Sequence, residues 1–247
     1  MQNNNSIDSC ATNDEIANAV FSLYPNLPDD YPIAYKTKKW FFCGLPFHVN
    51  KNVLIPRADT EVLVQAVLDI VKPNDTILDM CTGSGCIAIT LAKTTDTKVI
   101  GADISWRALR IAKKNAKTNN VHIDFIQSDL FRHPWRRIEY SVLSALTFDI
   151  ITCNPPYIKS HEIGKYDKSI LCEPKIALDG GRDGLEFYKR LSTDALKHMK
   201  AGGHLVLEIG HDQAEDVTKI LQNSGWYDIK VIKDQQGQNR VIICTKN

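Results

Sequence analysis

From Thr76 to its end the chain alternates short β-rich runs with helical patterns, and few architectures accept that order. TILDM, KVIGADI, VHIDFIQSD, FDIITCNPP and HLVLEIG read as successive strands. Between the first three, SGCIAITLAK and SWRALRIAKKNAKTNN place apolar residues at helical spacing, with Ser84 and Ser105 positioned as N-caps. Strands joined by crossover helices form a parallel, doubly wound sheet.

A helix is expected from about Gln213 to Asn223, and then two alternating runs, YDIKVIKD and NRVIICTKN, flank the turn-prone QQGQ. That ending predicts an antiparallel hairpin closing one side of the sheet. The expected fold is α/β, with a seven-stranded, mostly parallel sheet and a terminal antiparallel hairpin. It resembles the Rossmann-like methyltransferase fold, a likeness of architecture that by itself carries no function. Upstream, Asn13 to Tyr24 is expected to form a helix, KWFFCGLPFHVNKNVLI a hairpin, and DTEVLVQAVLDIVK an amphipathic helix leading into the first core strand. The reading divides the chain into a short recognition or lid segment, 1–50, and a catalytic domain, 51–247.

Composition narrows the function by exclusion. Hydrophobic residues make up 43% and charged residues 24%, with no apolar run long enough to span a bilayer, so a soluble globular protein without a membrane role is expected. The N-terminal MQNNNSIDSC resembles neither a signal nor a transit peptide, which makes the cytoplasm the default location. Seven scattered cysteines without a Cys-x-x-Cys read as small buried residues in a reducing compartment, and no metal site is expected. The net charge of +1 offers nucleic acid no general attraction, and the basic stretch from Arg107 to Lys117 reads as a solvated helix face.

The chemistry is concentrated beyond the strand ends. After the first strand, Asp79, Cys81, Thr82, Gly83, Ser84 and Gly85 form a glycine-rich turn that lets backbone approach a ligand. Asp103, followed by Ile104, ends the second strand, where doubly wound folds place an acid on ribose hydroxyls. The full dinucleotide glycine spacing and the Walker lysine are missing, so NAD and ATP fit less well. Asp129, followed by Leu130, ends the third strand and is placed either to accept from an adenine amino group or to cap a turn.

Asn154-Pro155-Pro156-Tyr157 follows the fourth strand. Two prolines remove two backbone donors and stiffen the chain, leaving acceptors: the Asn154 side-chain oxygen and the Pro155 carbonyl. A carboxamide or aromatic amino nitrogen has its lone pair delocalised. Two acceptors on its two N–H groups orient it toward a sulfonium methyl and favour the positive charge that develops during transfer. Tyr157 supplies a flat face for the planar group.

On these residues the chain resembles the HemK/PrmC family of release-factor glutamine methyltransferases. The match runs from about Pro32 to Thr245 through FFCGLPFHV, Ile55-Pro56-Arg57 with Asp59-Thr60-Glu61, LDMCTGSGCIAI, ADIS, CNPPYI, EPKIALDGGRDGL, LEIG and Gln213. Asn-Pro-Pro-Tyr alone is shared with adenine methyltransferases of DNA and guanine methyltransferases of RNA; IPR-x-x-TE and EP-x-x-AL-x-GG-x-DGL are narrower. The resemblance implies S-adenosylmethionine as cofactor, with Thr82, Gly83 and Gly85 at its methionine end and Asp103 on its ribose. It implies that Asn154 to Tyr157 hold the glutamine amide of a class 1 peptide chain release factor. Arg57, Thr60 and Glu61 would shape the substrate entrance, with a structural ion pair the alternative for Arg57. Two departures stand out. Cys81 replaces the usual glycine, and the stretch before Pro32 is shorter than the helical domain of bacterial members. An amino methyltransferase acting on adenine N6 or guanine N2 of nucleic acid is the second reading, and a catalytically silent, translation-associated binding protein the third.

Overall fold

The computed structural model describes residues 12–14, 31–134 and 142–247. Helix α1 (Ile33–Thr37) and the hairpin β1 (Lys39–Phe42)/β2 (Leu45–His48) precede α2 (Glu61–Leu68). There follow β3 (Thr76–Met80), α3 (Cys86–Thr94), β4 (Lys98–Asp103), α4 (Trp106–Thr118), β5 (Asp124–Gln127) and β6 (Phe148–Cys153). A short α5 (Lys168–Leu171), α6 (Glu186–His198), β7 (Met199–Glu208), α7 (Ala214–Asn223), β8 (Tyr227–Lys233) and β9 (Asn239–Thr245) complete the chain.

The main sheet runs β5-β4-β3-β6-β7-β9-β8. Strands β3 to β7 pair in parallel, and β9 joins antiparallel to β7 and to β8, as the terminal alternation predicts. Each strand points successive side chains to opposite faces. Ile77, Val99, Ile150 and Val206 pack with α2, α3, α4 and the hairpin on one side. Leu78, Ile100, Ile151 and Leu205 pack with α6 and α7 on the other. Burial on both faces explains why the central strands read as nearly continuous apolar runs. The strand order reverses between β3, which continues to β4 on one side, and β6 on the other, so the crevice beyond their carboxyl ends is where a ligand is expected.

The N-terminal hairpin belongs to this core. Phe42 and Phe47 are buried in it, and Asn115 of α4 clamps the hairpin by accepting from His48 N (2.7 Å) and donating to His48 O (3.0 Å). The same Asn115 amide donates to Ser84 O at 2.8 Å, which ties the hairpin to the turn after β3. Of the helix expected from Asn13 to Tyr24, only Asn13 and Asp14 lie within the described residues, and both are helical. Among the described residues no helix is long and apolar enough to cross a membrane.

Ser105 caps α4 as expected, accepting from Ala108 N. Ser84 does not cap α3. The cap position falls on Gly85, in the left-handed region at φ 82°, and no side chain caps there. The α3 amide of Ala88 is satisfied instead by Asp79 from the preceding strand. The cysteines also depart from the uniform buried reading: Cys86, Cys153 and Cys244 are buried, Cys43 and Cys81 are half-buried, and Cys172 is exposed.

Candidate active site

Two cavities meet at the carboxyl ends of β3, β4 and β6. The first, about 290 Å³, is lined by Cys81, Thr82, Gly83 and Ser84 of the first turn, Asp103 at the end of β4 and Ile104 just beyond it, and Asp129 and Leu130 after β5. The second, about 370 Å³, lies on the other side of the tetrapeptide and is lined by Pro155, Tyr157, Glu208 and Arg240. Arg57 and Asn154 line both, so Asn154 stands in the wall between them.

The turn after β3 is held by carboxylates. Asp79 is fully buried and does not line the first cavity; it works from behind. Its Oδ2 accepts from Thr82 Oγ1 (2.5 Å) and Ala88 N (3.2 Å), and its Oδ1 accepts from Thr152 Oγ1 of β6 (3.0 Å). Burial raises its pKa to about 7, against the opposing pull of those three hydrogen bonds. Asp103 does face the cavity. Its Oδ2 accepts from Gly83 N (2.9 Å) and its Oδ1 from Ser105 N (2.8 Å), while burial pushes its pKa upward. Each oxygen keeps a lone pair for a hydroxyl donor.

Gly85 lies behind the first cavity too. A Cβ there would come within 2.9 Å of Ile89 Cδ1 and 3.1 Å of Ala112 Cβ, so this glycine serves helix packing. Cys81 adopts φ 59°, the left-handed conformation that glycine takes freely and that costs other residues about 1–2 kcal/mol. The departure from glycine is therefore carried by strain in the turn.

The motifs on either side of the tetrapeptide lock it in place. Arg57 makes an ion pair with Glu173 Oε1, and Glu173 Oε2 accepts from Ile55 N at 2.9 Å. Arg57 thus makes the structural ion pair, and it also lines both cavities. Glu61 turns elsewhere: its carboxylate accepts from Cys43 N (2.8 Å) at the hairpin turn and lines neither cavity. Thr60, buried, accepts from Asn154 Nδ2 at 3.2 Å.

Ile158 and Leu178 pair through Ile158 N–H at 2.9 Å, which brings Gly180 and Gly184 against the tetrapeptide. A Cβ at Gly180 would lie 2.7 Å from Tyr157 Cα, and one at Gly184 2.5 Å from Tyr157 O. Gly184 also has φ 74°. Gln213 closes the arrangement, donating to Tyr157 O (3.1 Å) and Gly184 O (3.2 Å). Gly184→Ala is expected to destabilise the fold by about 1–3 kcal/mol and to slow turnover by displacing Tyr157, as measured by urea unfolding and steady-state kinetics.

Three groups were given no site role from the sequence, Glu208 among them although it lies in the LEIG motif. Arg190 and Phe187 of α6 line the far end of the first cavity, and Arg190 pairs with Asp129 at 2.6 Å. Asp129 therefore offers its remaining acceptor capacity to the cavity from a fixed position. Glu208, at the end of β7, is buried beside Tyr157 and Arg240. No periodicity marks these residues, because each acts across a long stretch of chain.

A model of the methyltransferase small domain matches residues 57–181. The release factor glutamine methyltransferase of Clostridium acetobutylicum is 42% identical over 221 residues, covering 87% of this chain and 75% of the relative. That of Thermodesulfovibrio yellowstonii is 37% identical over 240 residues, covering 94% and 83%. Among solved structures, a methyltransferase from Pyrococcus furiosus superposes with a TM-score of 0.63 at 17% identity, covering 95% of this chain and 98% of that one, which shows the shared fold. The fold, the cavity at the strand ends and these relatives agree: the chain is a methyltransferase enzyme and belongs to the release factor glutamine methyltransferase family.

Proposed function

We propose that this enzyme transfers a methyl group from S-adenosylmethionine to the side-chain amide nitrogen of the glutamine in the Gly-Gly-Gln loop of a class 1 peptide chain release factor. The observation that carries the reading is the placement of Asn154 in the wall between two cavities, with its amide nitrogen turned to Thr60, to which one of its N–H groups donates. Among the described residues, no donor reaches Asn154 Oδ1 or the Pro155 carbonyl. Two acceptors are therefore left for the two N–H groups of a primary amide.

The residues of the first cavity fit S-adenosylmethionine. Asp103 suits the ribose hydroxyls, the turn Cys81 to Ser84 the methionine end, and Ile104, Asp129 and Leu130 the adenine. When bound, the cofactor supplies an electrophilic methyl on sulfonium. The protein's part is to hold the amide nitrogen in line and to stabilise the positive charge it develops. Asn154 Oδ1 and the Pro155 carbonyl do so as dipoles already in place. Tyr157 packs its ring on the planar amide; burial near Glu208 raises its pKa, so its hydroxyl stays protonated at neutral pH and donates to Glu208 at 3.4 Å. No strong base is required, because the methylated amide nitrogen sheds its proton readily.

The second cavity, open beyond Tyr157, suits a loop that presents its glutamine from outside. We assign recognition of the partner to the 1–50 segment together with this rim, and catalysis to 51–247. The hairpin is fastened to the core through Asn115 and Glu61. Peptide mass spectrometry of release factor incubated with enzyme and S-adenosylmethionine is expected to show one added methyl on that glutamine; an unmodified glutamine after full incubation overturns the reading.

A further inference from the structure

Asn154 can serve as an acceptor only if its amide faces the right way, and two unmet needs beside it show what sets that orientation. Thr60 Oγ1 accepts from Asn154 Nδ2 at 3.2 Å, so the hydroxyl's own proton needs another acceptor. Glu208 Oε2 is buried with no hydrogen-bond partner, while Oε1 takes only the long 3.4 Å contact from Tyr157. The two groups are neighbours. Thr60 (2% exposed) and Glu208 (1% exposed) are both sealed from solvent, and the Thr60 hydroxyl pulls the Glu208 pKa down as a hydrogen-bonding neighbour, so each is the partner within reach of the other's unmet need.

We propose that Thr60 is a positioning residue whose hydroxyl gives its proton to the Glu208 carboxylate and accepts from Asn154 Nδ2, thereby holding Asn154 Oδ1 toward the substrate nitrogen. The relay joins three separate motifs: the segment before α2, the tetrapeptide after β6 and the end of β7. It explains why an acid is tolerated at a fully enclosed position. It rests on the reading of an amide nitrogen as the methyl acceptor.

The relay has a direction that protonation reverses. A protonated Glu208 donates to Thr60, whose proton then turns toward Asn154 and competes with Nδ2. Burial raises the Glu208 pKa to about 7, with Thr60, Arg240 and Tyr157 pulling it down and Asp59 pushing it up; the Tyr188 hydroxyl, donating to Glu208 O at 3.0 Å, packs against the same residue. Turnover is therefore expected to fall as pH drops below about 7.

The test compares Thr60→Val, Thr60→Ser and Glu208→Gln in the full chain, with release factor and S-adenosylmethionine as substrates. Thr60→Val, nearly isosteric, is expected to lower kcat by about 10- to 100-fold with KM and cofactor affinity little changed, and to lose the acid limb of the pH profile. Thr60→Ser restores kcat to within a few-fold of the parent, which a purely structural role of the threonine methyl would not allow. Glu208→Gln flattens the same limb and covers the case in which the valine variant fails to fold.

A second readout needs no substrate. In 15N spectra, the Asn154 side-chain amide is expected to exchange slowly in the parent and in Thr60→Ser, and fast in Thr60→Val. Equal kcat for the parent and Thr60→Val, or an Asn154 amide that exchanges fast in the parent, overturns the proposal. A protected Asn154 amide in an enzyme that leaves release factor unmethylated would uphold the positioning role and overturn the substrate.

Discussion

Asn154→Ala is expected to lower kcat by about 100- to 1,000-fold while leaving S-adenosylmethionine affinity within a few-fold of the parent. The magnitude is that of removing one preorganised dipole from a site where charge develops. The separation of effects follows from the cavity walls. Asn154 stands at the junction, whereas the floor of the first cavity is built by the turn Cys81 to Ser84 and by Asp103. Truncating Asn154 also leaves the Thr60 hydroxyl without its donor, but Thr60 remains anchored beside Glu208. Asp103→Ala gives the opposite pattern. It removes the acceptor for Gly83 N–H and Ser105 N–H together with the group facing the ribose, so cofactor affinity falls first. Calorimetry with the cofactor and steady-state kinetics on the two variants decide the matter, and an exchange of the two patterns refutes the roles assigned here.

Asp79→Ala is expected to reduce the unfolding free energy by about 3–5 kcal/mol. One carboxyl gathers a donor from the cofactor turn, one from the first turns of α3 and one from β6. Its loss leaves three donors and a void in a fully buried place. Asp79→Asn is milder and isolates the charge. Because burial raises the native pKa to about 7, the folded state holds a proton that the unfolded chain releases near its ordinary carboxylate value. Stability from this group is thus present at low pH and is lost as pH rises through the interval up to about 7, with a slope of at most about 1.4 kcal/mol per pH unit. Urea unfolding at pH 5 and pH 8 should show a smaller loss in Asp79→Asn than in the parent. Equal losses would mean that Asp79 is already ionised throughout.

What could be read in advance follows a physical division. Strands β3 to β9, helices α3, α4 and α7 and the acidic residue that ends β4 are local patterns of period, turn and terminus, and they survive in the structure within a few residues, whereas α6 between β6 and β7 was not read. The tetrapeptide was legible because two prolines and an asparagine after a strand leave little but acceptors. Ser84 was misassigned as a cap because the pattern rewards a hydroxyl before an apolar run, whereas Gly85 at φ 82° turns the chain and Asp79 supplies the acceptor from a different element. Glu173, Glu208 and Arg190 were not legible as site residues. Each meets its partner only when distant parts of the chain are brought together, as when Arg57 reaches Glu173 or Arg190 reaches Asp129. The strain at Cys81 was half legible: the departure from glycine could be seen, but its left-handed backbone needed coordinates.

The glutamine substrate is decided by offering radiolabelled S-adenosylmethionine and the enzyme to purified release factor, with total RNA and DNA from the same source in parallel. Label is expected in the release factor alone, and is lost when the glutamine of its Gly-Gly-Gln loop is replaced. Label confined to nucleic acid would leave the fold and the acceptor chemistry of Asn154 standing and contradict the glutamine substrate.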